Sequence, residues 1–278
     1  MDRVLNYPTE LHEAYVFDLD GTIFLGDELL PGARRVVEAL RRLQVPVRFL
    51  SNNPTRDPGQ YREKLAGMGL PVEPEEIANT VVTTVRWLQQ HHPGAVLFPI
   101  AEQPLIDALR RAGFRLSEDA AEIDIVIASY DRSFDYRKLQ IAFDAIWFHQ
   151  RAFLIQTNPD RFCPLSGGRG EPDCAAITAA IEACTNTTCT VSLGKPSPLM
   201  LDEAMAGLDI ETRRAVMVGD RLSTDIQMAL DAGMPSALVL TGETGANEVA
   251  GLPASHRPTY VVDRIDRLIP PRTWAKLS

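Results

Sequence analysis

The chain has 278 residues, 45% of them hydrophobic, with a formal net charge of -9 and a pI near 5.1. That apolar content supports a sizeable core and excludes disordered and fibrous classes, and the length is comfortable for two domains. A broadly acidic chain lacks the clustered Lys and Arg of a nucleic-acid surface, although a small anionic substrate stays open where a metal or local donors offset the repulsion.

The first ten residues carry Asp2, Arg3 and Glu10 and no apolar signal segment. No uncharged stretch approaches the roughly 20 residues that span a membrane, so a cytoplasmic protein with no membrane partner is expected.

In chain order, Ala14 to Asp18 reads as a buried strand, Gly32 to Leu43 as an amphipathic helix after Pro31, and Val45 to Leu50 as a strand stopping at Ser51-Asn52-Asn53. A helix around Gln60 to Gly67 and a Pro-rich turn from Leu70 to Glu76 follow. A second alternation then begins: helix Thr80 to Gln90, strand Ala95 to Ile100, helix Gln103 to Ala112 and strand Ile123 to Ala128. It continues through helix Tyr136 to Gln150, strand Ala152 to Thr157 and helix Asp173 to Cys184. Thr190 to Leu193 opens a strand leading to Gly194-Lys195-Pro196, and the first rhythm resumes with helix Pro198 to Ala206 and strand Ala215 to Val218. Helix Asp225 to Ala232, strand Ala237 to Leu240 and strand Thr259 to Val262 complete it.

Apolar strands alternating with helices predict an α/β fold, a parallel sheet with crossover helices. The parse is one domain split by another: residues 1-78 and 189-278 as a Rossmann-like core, with 79-188 inserted as a smaller α/β domain.

Four polar clusters follow apolar strands and project from one sheet edge, the edge at which open α/β sheets bind ligands. Asp18 and Asp20 flank one residue, so in extended backbone two carboxylates face the same way, and Gly21 lets backbone N-H groups approach an anion beside Thr22. Ser51-Asn52 offers a hydroxyl and an amide as uncharged donors; as an isolated turn it is also ordinary turn chemistry. Lys195, confined to extended backbone by Pro196, could neutralise a phosphoryl charge or simply be an exposed turn lysine. Asp220 and Asp225 in Gly219-Asp220-Arg221-Leu222-Ser223-Thr224-Asp225 add two carboxylates, hard oxygen donors of the kind magnesium takes, with a helix cap as the alternative for Asp225.

Taken together, FDLDGT, LSNN, GKP and VGDRLSTD, in that order, resemble the haloacid dehalogenase-like superfamily, in particular the NagD and p-nitrophenylphosphatase branch with a cap between the second and third motifs. The roughly 110 inserted residues fit such a cap. The resemblance implies a phosphatase in which Asp18 attacks phosphorus to form an aspartyl-phosphate and Asp20 acts as acid and then base. It implies Mg2+ held by the Asp18 carboxylate, the Asp20 carbonyl and the Asp220 carboxylate, with Asp225 behind them. Gly21, Thr22, Ser51, Asn52 and Lys195 would hold the phosphate, and Asp20 favours phosphoryl chemistry over dehalogenation. A small phosphorylated metabolite is the implied partner, with sugar phosphates mildly preferred because carboxylates in the cap accept from hydroxyls. Nucleotides, pyridoxal phosphate and phosphoglycolate stay open, as do phosphomutase or phosphotransferase chemistry and a homodimer; a receiver-type signalling module would be about half this length and lack a cap.

In the cap, Thr157-Asn158-Pro159-Asp160 resembles the family's TNxD segment, with Asp160 read as structural. The stretch Ser166-Gly167-Gly168-Arg169-Gly170 and Glu171-Pro172-Asp173-Cys174 makes Arg169, Asp173 and Cys174 candidates for substrate contact, against a flexible loop with an Asp helix cap. Cys163, Cys174, Cys184 and Cys189 form no CxxC pair, and their separations of 11, 10 and 5 positions match no common zinc pattern, so thiols without a metal are expected. His91-His92 suit a helix end, and Trp87, Phe143, Trp147 and Phe148 fit a core or a cap-to-cap contact.

Overall fold

The computed structural model describes residues 4-164 and 169-277. Ser166, Gly167 and Gly168 of the expected cap loop lie outside them. In chain order the strands are β1 (Ala14–Asp18), β2 (Phe24–Leu25), β3 (Glu28–Leu29), β4 (Val47–Ser51), β5 (Ile77–Asn79), β6 (Val96–Ile100), β7 (Arg115–Leu116) and β8 (Ile125–Ala128). They continue with β9 (Phe153–Gln156), β10 (Phe162–Pro164), β11 (Gly170–Pro172), β12 (Val191–Ser192), β13 (Ala215–Gly219), β14 (Ser236–Val239) and β15 (Tyr260–Val262). The chain divides into two compact units: one runs to Ser51 and takes in Tyr61–Ala78 and everything from Leu201, and the other holds Asn52–Gln60 and Asn79–Met200.

The first unit is built on the six-stranded sheet β15-β14-β13-β1-β4-β5. β1 pairs in parallel with β4 on one side and β13 on the other, and β14 and β15 continue in parallel. Counted in chain order the strands read 3-2-1-4-5-6 from β5, the Rossmann arrangement, whose order reverses between β1 and β13. β1 is buried along its whole length, as a parallel strand covered on both faces must be. Tyr15 and Phe17 share one face and stack at 5.9 Å, and Phe17 stacks on its register partner Phe49 at 6.1 Å. Helix Ala33–Arg42 covers this cluster with Val36, Val37 and Leu40, an i, i+1, i+4 stripe, while Arg41 and Arg42 in its last turn complement the helix dipole.

The second unit has its own five-stranded sheet, β12-β9-β8-β6-β7, with every neighbouring pair parallel. In chain order it reads 2-1-3-4-5 from β7, the other doubly wound arrangement. Alternate strand residues feed two cores. Leu97, Ile125, Ile127 and Ile155 pack with Trp87, Leu88, Leu105 and Leu109, whereas Phe98, Val126, Ala128 and Leu154 pack with Ala142, Cys174, Ile177 and Ile181. Helices Thr80–His91 and Tyr136–Phe143 begin on Asn79 and Asp135, whose side chains accept from the Val82 and Lys138 N-H groups.

Several expectations change. Thr190 to Leu193, assigned to the core by a boundary at 189, supplies β12, which pairs with β9 in the second sheet, so that unit extends to Met200. The expected loop after Asp160 contains the antiparallel hairpin β10-β11. The helix expected to reach Gln150 is α-helical only to Phe143 and then widens to a π-helical turn over Asp144–Phe148. Trp87 is buried, while Trp147 and Phe148 are exposed. His91 does serve the helix end, its ring nitrogen meeting the Trp87 carbonyl at 2.9 Å. No helix among the described residues is long and apolar enough to cross a membrane.

Candidate active site

Because β1 and β13 run in parallel, their carboxyl ends meet at the same edge, beside the reversal of strand order. β1 ends on Asp18, and Asp220 follows Gly219 at the end of β13. The π-helical turn Leu222–Ile226 brings Asp225 back to that point. One carboxylate oxygen from each of Asp18, Asp220 and Asp225 lies within 4.8 Å of the other two, and all three side chains are buried. Three like charges so close in a low-dielectric setting repel strongly unless a cation or protons offset them. A set made only of carboxylate oxygens, with no His or Cys, fits a hard divalent cation such as Mg2+.

Asp20 is exposed, so the two acids of the DxD segment have different surroundings: Asp18 inside the cluster and Asp20 in contact with solvent. The turn between them and the next strand is fixed by Gly21, at φ 81, where a Cβ would also come within 2.5 Å of Asp220 Oδ2. A side chain there would meet both backbone strain and a carboxylate. Thr22 is fully buried, with a hydroxyl that meets no hydrogen-bond partner among the described residues. Ser51 at the end of β4 is buried and exchanges a 2.8 Å hydrogen bond with the Tyr61 hydroxyl.

The second unit holds Asn52 and Lys195, and binds them to each other. Asn52 Oδ1 accepts from the Lys195 N-H at 2.7 Å, while Asn52 Nδ2 donates to the Lys195 carbonyl and to Asp160 Oδ2, both at 3.1 Å. The Asn52 carbonyl in turn accepts from Thr80 and Asn158. Both amide hydrogens of Asn52 are therefore engaged by protein oxygens. This corrects the expectation that its side chain donates to a phosphate: the amide positions the buried Lys195, and Asp160, read as structural, positions the amide.

Two of the three cap candidates are structural. Asp173 is the N-cap of helix Cys174–Thr185, its Oδ1 accepting from the Cys174 N-H at 2.6 Å. Cys174 is fully buried, its Sγ 3.2 Å from the Ala128 carbonyl, and burial pushes its thiol up to about 12. Only Arg169, beside β11, is exposed.

The segment after β14 was missed. Thr241 Oγ1 donates to the Gly21 carbonyl at 2.8 Å, the Glu243 N-H donates to Asp220 Oδ2 at 2.7 Å, and the Thr244 N-H reaches the Asp220 carbonyl at 3.2 Å. A Cβ on Gly242 would lie 1.9 Å from Asp220 Oδ2, so only glycine lets this loop close on the carboxylate. Residues 241-244 thus join the Gly21 turn to Asp220 and hold one oxygen of that carboxylate. The signal was present in the sequence: Thr241-Gly242-Glu243-Thr244-Gly245 is a further polar, glycine-containing turn behind an apolar strand.

Residues 15-115 match the family described as haloacid dehalogenase-like hydrolase, and residues 192-268 a second HAD-hydrolase-like family. The chain is 34% identical over 250 residues to the sugar-phosphatase AraL of Bacillus subtilis, covering 90% of this chain and 89% of that one. Its fold is similar to that of the 4-nitrophenylphosphatase from Thermotoga maritima, with a TM-score of 0.86, 30% identity and coverage of 92% and 96%. It is also similar to the glycerol phosphate phosphatase from Mycobacterium tuberculosis solved in complex with magnesium, with a TM-score of 0.83, 27% identity and coverage of 95% and 78%.

Proposed function

This chain belongs to the haloacid dehalogenase-like hydrolases, in the branch of NagD and the p-nitrophenylphosphatases, and on that footing we propose that it is a Mg2+-dependent phosphatase of small phosphate monoesters, sugar phosphates above all, working through an aspartyl-phosphate. The observation that carries the reading is the convergence of Asp18 with Asp220 and Asp225, while Asp20 stands two residues away and open to solvent.

Asp18 is the nucleophile: its carboxylate oxygen bonds to phosphorus as the ester oxygen leaves. Asp20 gives that oxygen a proton, then takes one from the water that cleaves the acyl phosphate, restoring Asp18 and releasing phosphate. Lys195, aimed by Asn52, offsets the charge of the transferring group, and Gly21, Thr22 and Ser51 are the proposed donors around its oxygens. Asp18, the Asp20 carbonyl and Asp220 would hold Mg2+, with Asp225 beside them. Bound there, Mg2+ supplies positive charge that offsets the crowded carboxylates and polarises a phosphoryl oxygen. The inserted unit is the proposed cap, which chooses the substrate and excludes water, with the exposed Arg169 as its candidate contact. The sugar preference rests on the sugar phosphatases among the relatives.

Purified protein should release phosphate steadily from p-nitrophenyl phosphate and from a panel of sugar phosphates when Mg2+ is present, and stop on adding EDTA. Asp18→Asn should lower the rate at least about a thousandfold. Undiminished turnover in Asp18→Asn would sink the reading, and phosphate recovered on an added sugar instead of in solution would replace hydrolysis with phosphotransfer.

A further inference from the structure

A second polar site lies in the first unit, on elements the reaction does not use. A cavity of about 480 Å³ is lined by Tyr7, Arg35, Arg264, Asp266, Arg267, Ile269, Pro271 and Trp274. Its size is within the range of small-metabolite pockets. In a chain of net charge -9, three guanidinium groups gathered on one cavity run against the general balance.

The arginines are organised from beneath. Asp266, buried where β15 leaves the sheet, accepts from both Arg264 Nε and Nη2 at 3.1 Å and from Arg35 Nη1 at 3.2 Å. Arg35 lies over the Trp274 ring, 4.0 Å from its centroid, and the Trp274 indole N-H is itself bonded to the Asp266 carbonyl at 3.3 Å. Two guanidinium planes are thereby held before any ligand arrives, which removes much of the side-chain ordering that anion binding normally requires. Arg267, one residue beyond Asp266, is exposed on the same cavity and makes no ion pair among the described residues. Asp266 is the carboxylate in the lining; Asp263 accepts from the Tyr7 hydroxyl at 3.2 Å, and Glu38 shares an adjoining pocket with Arg35 and Trp274. Ile269 and Pro271 give the cavity an apolar wall, and the Trp274 ring lies beneath Arg35.

We propose that this cavity is a second anion-binding site, which takes the phosphate group of a small phosphorylated molecule on the guanidinium forks of Arg35, Arg264 and Arg267. Planar guanidinium groups match a phosphate with paired hydrogen bonds, and one such group without a carboxylate partner leaves the cavity able to accept a dianion. The site is independent of the reading given to Asp18.

The test uses the whole protein, labelled with 15N, in EDTA. The Trp274 indole N-H sits within the arginine cluster and is one of three indole signals, identified by its loss in Trp274→Phe. Tripolyphosphate and inorganic phosphate are titrated separately, with sodium chloride at matched ionic strength. A saturable shift of the Trp274 signal with either phosphate is expected, unchanged in Asp18→Asn and weakened about tenfold or more in Arg267→Ala, which breaks no ion pair. Arg264→Gln should weaken it too. Saturation by tripolyphosphate alone would identify a polyphosphate ligand, and saturation by both a single phosphate group. A shift reproduced by sodium chloride, no saturable shift, or the same affinity in Arg267→Ala and Arg264→Gln would overturn the proposal and leave the cluster as an ion-pair staple.

Discussion

Asp220 illustrates how much of a buried carboxylate's setting is decided by the residues around it. One of its oxygens is held by the Glu243 N-H, and Gly21 and Gly242 both give up a Cβ so that the carboxylate fits between them. Thr241 ties the other side of the arrangement to the Gly21 carbonyl. Thr241→Val removes that donor while keeping the shape, at about 1 kcal/mol for one hydrogen bond. Mg2+ affinity measured by calorimetry should fall several-fold, with Thr241→Ser restoring it; equal affinity in the Val and Ser variants would show that the hydroxyl has no part in setting the cluster. The grouping of Asp18, Asp220 and Asp225 was legible because strand ends and the carboxylates behind them are local properties of the chain. The role of Asn52 was not, because its partners Lys195 and Asp160 are 143 and 108 positions away and nothing near Asn52 announces that its amide hydrogens go to them. Cys174 misled for a similar reason: its place after the glycine-rich stretch made it a candidate for substrate contact, and only the packing on Ala128 shows it sealed.

At the scale of the elements, the long alternating segments were readable and the short ones only in part. β1, β4, β6, β8, β9, β13 and β14 announce themselves as apolar runs, whereas β7 has two residues and no periodicity to recognise, and β12, though readable as a strand within Thr190 to Leu193, has only two residues as well. β12 shows the consequence: a strand that short carries no mark of which sheet it joins, and β9 decides. The break of the helix at Phe143 into a π-helical turn is equally silent, since Asp144–Phe148 has the same apolar spacing as the turns before it. Helix starts are clearer. Asp135 accepts from the Lys138 N-H at 2.8 Å, and Asp135→Ala should lower the stability of the inserted unit by about 1 kcal/mol in urea unfolding. A change below about 0.3 kcal/mol would mean that water caps the helix as well as the carboxylate does.

For the whole molecule, three buried carboxylates at one edge tie stability to what occupies that edge. Occupation by Mg2+ at about 100 times its dissociation constant adds about 2.7 kcal/mol to the folded state. For a chain of this size that is several degrees in Tm, at roughly 2-4 °C per kcal/mol. Calorimetry should therefore show Mg2+ raising the Tm of the first unit, and Asp220→Asn raising it without Mg2+ while abolishing the metal's effect. A Tm indifferent to both would mean that the carboxylates share protons and do not confront one another as charges. Two units with separate cores make two unfolding transitions the natural expectation, so each shift belongs to a transition and not to the molecule.

The path of the chain also limits how this protein could be shortened or rebuilt. Ser51 and Asn52 are neighbours in sequence but belong to different compact units, and Lys195 lies within the stretch that ends at Met200. Cutting out Asn79–Met200 and rejoining the ends would leave the first unit with all four aspartates and without Lys195. Exchanging that stretch for another would replace Lys195 while Asn52, which holds it, stays behind in the host. A graft meant to change only substrate choice would need its seams placed to carry residue 52 along with residue 195.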